Sequence, residues 1–588
     1  MCLEELIMML LMSELLNDFV SVEKNQLLQT KYKKKVLSNH MLLFFNKDTK
    51  IIENSKWLII VESTYLSKKE ILELFDKVSK RECIDESYLK VLFKKFAKFF
   101  CAIIINYETN DTFLIRDKIG YYSLYYYKHK RGLVICDDLS FFNYFPFTNS
   151  INEEYIYHSL TLFLSHPTTT LYKSVYEVQP RNILHISGGK EKLISYASFN
   201  EIIGPNNETN EELIINRMHN LIRNGCKKYN QQVFTLLSGG IDSGIIAASL
   251  VENNNDVLAI TIDYEHNSKE IDIKNAKAMA KKLNLQNHQI INVTNNDILN
   301  TFYSMVNDNY PPIFTIDMIM IEIASKKIKE IMPNNPVCFA GDGADELGGY
   351  PSYIDIQNEW GNLLYFYSLP IEAKKILVQQ TDCKAYEIAM NNHPIPRKFI
   401  QAFYESEKKM IWLNEFPTVS SYDIIANQFY DADLNFFQKI QNVEFSLRLP
   451  SFYFRRQWRQ YNEKNIKVIY PFLDEKLLKY CLSLPRELHM KNNIPKYLFK
   501  KIYKRYYPDI SIDNKNGFGS VLYNFYLDVL PGLIQTELAN IKRYSSCLFN
   551  EDYIYYLLEH ISEKNNGFKL WTIYAINQWI SQQKRKTM

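Results

Sequence analysis

The chain has 588 residues, and its 69 Lys plus Arg nearly balance its 66 Asp plus Glu, for a formal charge of +3. This length exceeds what one hydrophobic core supports, and the charge balance argues against a nucleic-acid binder, which relies on an excess of basic residues. The nine cysteines are scattered and form no Cys-x-x-Cys pair, which argues against disulfides and zinc sites and favours reduced thiols in the cytoplasm.

The sequence begins with an apolar run, MCLEELIMMLLMSELLNDFV, which has two glutamates ahead of it and no basic segment. A signal peptide needs that basic segment, so we predict an amphipathic helix. No window approaches the roughly 20 apolar residues of a membrane-spanning helix, and we expect no membrane association.

From about residue 40 to 200, short strand-like runs alternate with turn residues. The runs are MLLFF, KWLIIVE, FFCAIIINYE, TFLIRD, YSLYYYK, GLVICDD and NILHIS. This pattern predicts a mainly β region with few helices. Aromatic clusters such as YYSLYYY alternate in the same way and are predicted to lie in the core and on sheet faces.

The polar stretch FNEIIGPNNETNEE, residues 199–212, contains Gly-Pro-Asn-Asn and is the predicted linker. After it, strands alternate with helices as far as PVCFA at 336–340, and the chain is chiefly helical beyond residue 350. That alternation predicts βαβ units and a doubly wound parallel sheet. We therefore predict an α/β protein with a mainly β domain over residues 1–205 and a parallel-sheet domain over residues 206–588.

The segment QQVFTLLSGGIDSGII, residues 231–246, places two glycines, two serines and a carboxylate between a predicted strand and a predicted helix. Ligands of open parallel sheets bind at the carboxyl ends of strands, where helix N-termini present N–H groups to anions. Glycines let backbone amides close around a phosphate, and serine hydroxyls add donors. Asp242 would repel a phosphate unless a divalent cation lay between them, so the turn is predicted to bind pyrophosphate and Mg²⁺. The alternative is a glycine turn that Asp242 caps.

The residues from Ser238 to Ser243 resemble the Ser-Gly-Gly-x-Asp-Ser loop of the ATP pyrophosphatases, which cleave ATP between its α- and β-phosphates. A second segment, VCFAGDGADELGGY at 337–350, resembles the asparagine synthetase signature Ser-Gly-(Glu/Asp)-Gly-x-Asp-Glu-x-x-Gly-Gly-Tyr, and is one residue shorter before the glycines. The resemblance implies ATP and Mg²⁺, with Asp345 joining Asp242 on the metal and Asp342 facing the activated carboxyl group or the amine. The residues implied to bind ATP and pyrophosphate are Leu236, Ser238, Gly239, Gly240, Asp242, Ser243, Ala340 and Gly341.

Three later segments are similar to this family in the same order: YPFLDEKLLKYCLSLP, IPKYLFKKIYKRYYPDISIDNKNGFGS and LWTIYAINQWI. Lys496 and Lys515 match two family lysines that neutralise the charge developing as pyrophosphate leaves. Asp474 is in addition a predicted helix N-cap.

The segments LIRDKIGYYSLYYY and VYEVQPRNILHI are similar to parts of the family's glutaminase domain, whose nucleophile is an N-terminal cysteine. Here Leu3-Glu4-Glu5-Leu6 follows Cys2 where the family has Gly-Ile, and the family's Asn-Gly-Glu-Ile-Tyr-Asn segment has no counterpart; VESTYLS lies near its position. Cys2 is kept as the candidate nucleophile, while these departures favour an inactive scaffold.

This combination implies an enzyme that adenylates a small-molecule or peptide carboxylate and transfers it to an amine. Relatives of this arrangement close β-lactam rings or cyclise peptides, as lasso-peptide cyclases do. The β-lactam branch usually has Tyr where this chain has Asp342, which favours peptide macrolactam formation, with a leader-peptide-binding protein or a protease as partner. Lys467 and Ile469 replace the Glu and Arg common in asparagine synthetases, which indicates a substrate other than aspartate.

Three alternatives remain. The first is an asparagine synthetase using glutamine or ammonia. The second is a tRNA-modifying pyrophosphatase, although that class would need paired catalytic cysteines and a basic face. The third is a degenerate, non-enzymatic peptide-binding scaffold, against which the two intact loops argue.

Overall fold

A computed structural model describes most of the chain. The described residues are 9–12, 33–36, 41–45 and 49–587, except 64, 82–83, 97–98, 130–131, 140–141, 143–149, 165–166, 205, 207, 266–269, 309, 351, 354–359, 362–363, 367, 381–394, 431–432, 513–516, 537–547 and 564.

The chain divides into two compact units, and each is built from separate segments of the sequence. Unit 1 comprises Met1–Tyr155, His166–Ile202 and Glu444–Asn465, and unit 2 comprises Ile156–Ser165, Ile203–Val443 and Ile466–Met588. The proposed domain boundary at residues 205 and 206 remains a prediction.

Unit 1 contains two antiparallel six-stranded sheets, with the orders β10-β8-β9-β1-β3-β2 and β12-β11-β7-β6-β5-β4. The predicted mainly β character is confirmed. Its described strands are β1 Met9–Met12, β2 Lys33–Val36, β3 Met41–Phe45, β4 Lys50–Glu53, β5 Trp57–Glu62, β6 Cys101–Asn106, β7 Thr112–Arg116, β8 Tyr125–His129, β9 Gly132–Cys136, β10 Val175–Glu177, β11 Asn182–Ser187 and β12 Lys190–Ser195.

The helix predicted at the start of the chain is wrong for Met9–Met12. These residues form β1, which pairs in antiparallel register with β3 on one side and with β9 on the other. An apolar tetrad between two strands satisfies its backbone hydrogen bonds across the sheet, and this pairing overrides the helical spacing of the apolar residues.

Two helices pack on the second sheet, α1 (Lys68–Ser79) and α2 (Glu86–Lys94). Their apolar faces meet the alternate residues Trp57, Ile59 and Val61 of β5 in one core cluster. The other apolar residues of β5 are also buried, because both faces of this strand are covered. The run WLIIV is therefore continuously apolar, as is typical of a strand covered on both faces.

Unit 2 is built on a parallel five-stranded sheet, which confirms the predicted α/β class. Its strands are β13 Val233–Leu236, β14 Val257–Tyr264, β15 Asn287–Val293, β16 Val337–Phe339 and β17 Lys467–Ile469, and their order in the sheet is β15-β14-β13-β16-β17. Every neighbouring pair is parallel. The sequence reasoning did not anticipate β17, a three-residue strand that comes almost 130 residues after β16 along the chain.

Helices make up most of the remaining described residues, and the predicted helical character beyond residue 350 is confirmed. They are α3 Glu153–Leu162, α4 Glu211–Gly225, α5 Ile241–Glu252, α6 Glu270–Lys282, α7 Asn295–Asn307, α8 Ile316–Ile331, α9 Ala344–Gly348, α10 Ile371–Gln380, α11 Glu405–Ile411, α12 Ser421–Phe429, α13 Phe436–Val443, a π-helix Glu444–Phe454, α14 Arg455–Asn462, α15 Glu475–Ser483, α16 Arg486–His489, α17 Tyr497–Tyr506, α18 Gly517–Asp528, α19 Glu551–Glu559 and α20 Asn566–Thr587.

Across the described part of the chain, every helix is too short or too polar to cross a membrane.

Candidate active site

Two loops lie side by side at the carboxyl edge of the parallel sheet. One joins β13 to α5, and the other joins β16 to α9. The strand order reverses between β13 and β16, since β14 and β15 lie on one side of β13 and β16 and β17 on the other. A Cβ atom added to Gly341 would lie 3.2 Å from the Cβ of Asp242, so the loops touch. The crevice at such a reversal is where open α/β sheets bind their ligands.

The first loop requires glycine at its centre. Gly239 has φ +72°, and a Cβ there would lie 2.2 Å from the carbonyl oxygen of Asp272 in α6. The loop is tied internally because Ser243 Oγ lies 3.1 Å from both the backbone N and the Oγ of Ser238. Helix α5 begins after Gly240, which has no side chain to cap the first-turn N–H groups. This end of the helix therefore offers backbone donors and a positive dipole end to an anion.

The Pro-Phe-Leu-Asp segment, residues 471–474, packs against the second loop. Gly343 has φ +96°, and a Cβ there would lie 2.4 Å from Leu473 Cδ2, so only glycine allows the leucine to pack this closely. The Glu346 carboxylate accepts hydrogen bonds from Gly343 N at 3.1 Å and from Tyr350 Oη at 2.9 Å. Asp474 accepts the N–H of Lys476 at 3.0 Å and caps α15, as predicted.

Three charged side chains meet where the loops touch. Lys496 Nζ lies 2.6 Å from Asp242 Oδ2 and 2.8 Å from Asp345 Oδ1. The Lys496 side chain is only 11% exposed, whereas those of Asp242 and Asp345 are 22% and 35% exposed. Burial of the ammonium favours its neutral form, but the charges of Asp242 and Asp345 outweigh this effect and raise the pKa of Lys496 above its ordinary value.

The position of Lys496 is set by its backbone. The residue precedes α17 with φ 56° and ψ 32°, a left-handed conformation that is uncommon for a residue with a side chain. Its N–H donates to the carbonyl oxygen of Gly348 at 2.9 Å, which ties the start of α17 to the end of α9. This bond brings the lysine to the second loop, although it lies 254 residues beyond Asp242 in the sequence.

The two carboxylates fit a magnesium ion. Magnesium prefers oxygen ligands and is commonly held by one or two carboxylates together with substrate phosphates. Asp242 and Asp345 converge on one cationic group, so both can reach one small cation. Within the described ranges, no group of three or more His, Cys, Asp or Glu side chains is placed to hold a metal. An ion here would therefore draw its remaining ligands from phosphate oxygens and water.

The other predicted site residues fall in three classes. Leu236 ends β13, and Ala340 donates its N–H to the carbonyl oxygen of Ile469 at 2.9 Å, so both frame the crevice through backbone pairing. Asp342 is half-buried in the second loop. Lys515 and Cys2 lie outside the described residues, and their predicted roles stay predictions.

Gln441 and Tyr507 support the loops and were missed from the sequence. Gln441 Nε2 donates to the carbonyl oxygen of Glu346 at 3.1 Å, and Tyr507 Oη donates to that of Gly244 at 3.0 Å. No motif marks either residue, since each acts through a contact with a backbone distant in sequence. The only signal was glycine at position 244, where a Cβ would lie 3.3 Å from the Tyr507 ring.

In unit 1, the Arg-Asp-x-x-Gly segment, residues 116–120, forms a turn that hydrogen bonds and an ion pair hold in place. Arg116 donates to the carbonyl oxygens of Tyr122 at 2.7 Å and Gly120 at 2.8 Å, and forms a buried ion pair with Glu177 at 2.9 Å. Asp117 accepts the N–H of Gly120 at 2.7 Å. These bonds use the donors of the guanidinium within the fold, so the segment has a structural role in this unit.

The VESTYLS segment forms a strand end and a helix cap. Ser63 Oγ donates to the carbonyl oxygen of Phe99 at 2.7 Å and accepts the N–H of Leu66 at 3.0 Å. Ser67 and Glu70 form a capping box at the start of α1. These polar groups therefore serve local structure.

The five cysteines that the structure describes are buried, and none of them forms a disulfide with another described cysteine. Burial raises the pKa of Cys101 and Cys136 in unit 1. A raised pKa keeps a thiol protonated, so neither residue is an activated nucleophile.

The chain is similar in sequence to two curated proteins. The chain is 23% identical over 395 residues to the glutamine-hydrolyzing asparagine synthetase 1 of Bacillus subtilis (strain 168), covering 64% of this chain and 60% of that protein. It is 26% identical over 275 residues to asparagine synthetase 2 of the same organism, covering 43% of this chain and 36% of that protein. The chain thus spans less than two thirds of the length of these relatives.

Among solved structures, the NH3-dependent NAD synthetase of Campylobacter jejuni is 19% identical over 24% of this chain and 61% of its own, with a TM-score of 0.19. That overlap is too small to support a conclusion about this chain. The asparagine synthase family model, in contrast, matches residues 226–581, which include both loops, Lys496 and every strand of the parallel sheet. The chain therefore belongs to the asparagine synthase family.

Proposed function

We propose that this protein is an ATP-dependent, AMP- and pyrophosphate-forming ligase that makes an amide bond between a carboxylate and an amine. The meeting of Asp242, Asp345 and Lys496 beside the amino end of α5 is the observation that carries this proposal. A helix end that offers N–H groups suits the leaving pyrophosphate, and the lysine suits the charge that develops on it. Membership of the asparagine synthase family supports the same class of reaction.

In the proposed reaction, an oxygen of the substrate carboxylate attacks the α-phosphorus of ATP, and the bond to the bridging oxygen of the β-phosphate breaks. The N–H groups of the first loop and Lys496 hold the departing pyrophosphate. Magnesium, when bound to Asp242 and Asp345, supplies further neutralisation of phosphate charge. The amine nitrogen then attacks the acyl carbon, loses a proton, and AMP leaves. We propose that Asp342 faces the acyl group or the amine at this step and that Lys515 adds positive charge.

We propose that the carboxylate belongs to an Asp or Glu side chain of a peptide and that the product is a macrolactam. The departures around Cys2 and in the VESTYLS segment support an amine that does not come from glutamine, since Ser63 and Ser67 there serve a turn and a cap. Lys467, which lies in β17, and Ile469 support a carboxylate other than free aspartate. Partners under this proposal are a leader-peptide-binding protein or a protease.

Asp242→Asn tests the adenylation step. The change removes one negative charge from Asp242, which the proposal places in contact with the magnesium ion and with Lys496. Loss of these two charge-stabilising contacts, at about 3 kcal/mol each, slows ATP–pyrophosphate exchange by about four orders of magnitude. Exchange is measured with aspartate, glutamate and peptides that carry an internal Asp or Glu. Asp256→Asn is the matched control, because this exposed carboxylate precedes β14 at the opposite edge of the same sheet. Undiminished exchange in Asp242→Asn would refute the assignment.

Asparagine synthesis is the second candidate, and the similarity to two asparagine synthetases favours it. The same assay separates the candidates, because an asparagine synthetase gives exchange with free aspartate and releases asparagine with ammonia or glutamine. A Cys2→Ala variant that keeps full glutamine-dependent activity would exclude the glutaminase version. If no carboxylate in the panel supports exchange and the protein does not bind MgATP, a non-enzymatic peptide-binding role replaces both candidates.

A further inference from the structure

We propose that Lys496 holds the place of the metal in the nucleotide-free protein, so that the divalent cation enters only together with ATP. This inference rests on the proposed function in one respect, namely that the site takes a metal-bound nucleotide. Beyond that function, the inference states that the metal binds together with ATP and that Lys496 neutralises the two carboxylates until then.

The first support is the arrangement of charges. The Lys496 ammonium lies within hydrogen-bonding distance of one oxygen of each carboxylate, at 2.6 and 2.8 Å. Asp242 and Asp345 are the residues that fit a magnesium ion, and the ammonium now contacts one oxygen of each. A second cation shared by these oxygens would meet that positive charge at contact distance, beside a lysine side chain that is only 11% exposed, where repulsion is strong.

The second support is the fixed attachment point of the side chain. The Lys496 backbone is anchored through its N–H to Gly348, and its stem packs so closely there that a Cβ on Gly348 would lie 3.1 Å from Lys496 Cγ. The left-handed conformation at φ 56° also orients the side chain from the start of α17. A non-glycine residue in this region is strained and persists where the surroundings impose it. The backbone therefore positions the Lys496 side chain so that its ammonium contacts both carboxylates.

The third support is the effect that a bound polyphosphate has on the contacts of Lys496 with the two carboxylates. The amino end of α5 lies beside the lysine, so phosphate oxygens bound there offer Lys496 new anionic partners. When the ammonium turns to these oxygens, both carboxylates lose their cation and become ligands for a divalent ion. The nucleotide thus withdraws the lysine from the carboxylates and brings in the metal, and the two events are coupled.

The test is a titration of the protein with Mn²⁺, followed by electron paramagnetic resonance of the free ion, with and without α,β-methylene-ATP; the Mn²⁺ that the nucleotide chelates in solution is measured without protein and subtracted. We expect the wild-type protein to bind Mn²⁺ weakly alone and tightly with the nucleotide. Lys496→Met is expected to bind Mn²⁺ alone at least about tenfold more tightly than wild type, because one neighbouring charge shifts ionic equilibria of a carboxylate by roughly one to three orders of magnitude.

Three further variants test whether the effect comes from the charge of Lys496 and from the predicted carboxylates. Lys501→Met removes a charge from the exposed side of the same helix and should match wild type. Lys496→Arg keeps the charge and should still exclude Mn²⁺, so it shows an effect of charge even if Lys496→Met is less stable. Asp242→Asn combined with Lys496→Met should lose the gained affinity, which places the ion on the predicted carboxylates.

The outcomes separate the two proposals. Equal Mn²⁺ affinity of wild type and Lys496→Met without nucleotide, or no Mn²⁺ binding by Lys496→Met, overturns the role of Lys496. Failure of the nucleotide to tighten Mn²⁺ binding in the wild type overturns the proposed function, and with it the joint entry of metal and nucleotide, because the nucleotide would not then share the site with a metal.

Discussion

Replacing Gly239 with alanine would place a methyl group in a position that the fold reserves for hydrogen. The added Cβ would lie 2.2 Å from the carbonyl oxygen of Asp272, whereas Cβ atoms essentially never approach other heavy atoms within 3.0 Å. The obstacle is a backbone atom of α6 and cannot rotate away. The left-handed φ of +72° adds a cost of roughly 1–2 kcal/mol for a residue with a Cβ. The loop or the first turn of α6 must therefore move by roughly 1 Å, a displacement that can slow a reaction about a hundredfold when it misplaces reacting groups.

The assay for Gly239→Ala is ATP–pyrophosphate exchange, measured beside the thermal melting temperature. We expect exchange to fall about a hundredfold, while melting falls by only the few degrees that correspond to about 1–2 kcal/mol. Gly532→Ala is the matched control, because a Cβ at that exposed helical glycine meets nothing within 4 Å. It should leave exchange unchanged and should not lower the melting temperature, because alanine favours a helix more than glycine does.

The reasoning about Gly239 would be refuted by a variant that keeps wild-type exchange and wild-type melting. That result would mean that the backbone at this turn relaxes without cost. A large loss of melting temperature with exchange intact at low temperature would instead assign Gly239 to stability alone.

Two further predictions concern buried ionisable side chains. Lys408→Met should lower the free energy of unfolding by about 3 kcal/mol, because it leaves the Glu405 carboxylate, which lies 3.0 Å from Lys408 Nζ, without its cation. Thermal melting checks this against Lys409→Met, which changes an exposed neighbour. Equal melting temperatures of the two variants would contradict the prediction. Burial lowers the pKa of His489 to about 4, so its contribution is intact above the unfolded pKa of about 6.5 and up to about 3 kcal/mol is lost as pH falls to 4. His489→Gln should therefore show a smaller drop in melting temperature over this range, and parallel curves would contradict the assignment.

Local pattern alone located four of the five described strands of the parallel sheet, β13 to β16. The strand predicted at VFTLL is β13, and the predicted helix that follows it is α5. Hydrophobic periodicity and glycine turns are properties of neighbouring residues, so they can be read without knowledge of the fold. The same reasoning correctly placed seven of the nine described strands of unit 1 between residues 41 and 187, missing β4 and β10, and it correctly placed the cap at Asp474.

Elements that depend on distant partners were missed or misread. Met9–Met12 has helical spacing of apolar residues but forms β1 because β3 and β9 supply backbone partners on both sides. β17 is three residues long and becomes a strand only by pairing with β16. The π-helix Glu444–Phe454 belongs to unit 1 although the sequence on both sides of residues 444–465 belongs to unit 2. In each case the deciding interaction links residues far apart in the chain.

Residue types and motif spacing alone point to the chemistry proposed for the site: glycines that leave room for an anion, serines that offer hydroxyl donors, and two aspartates and a lysine at motif positions. The contact of Lys496 with both carboxylates, 254 residues beyond Asp242, becomes visible only in the folded chain. The physical reason is that residue types set which interactions are possible, whereas distances between residues so far apart depend on how β13, β16 and α17 pack. Under the proposed function, the choice of carboxylate and amine depends on that same packing, which brings side chains from many segments to one crevice.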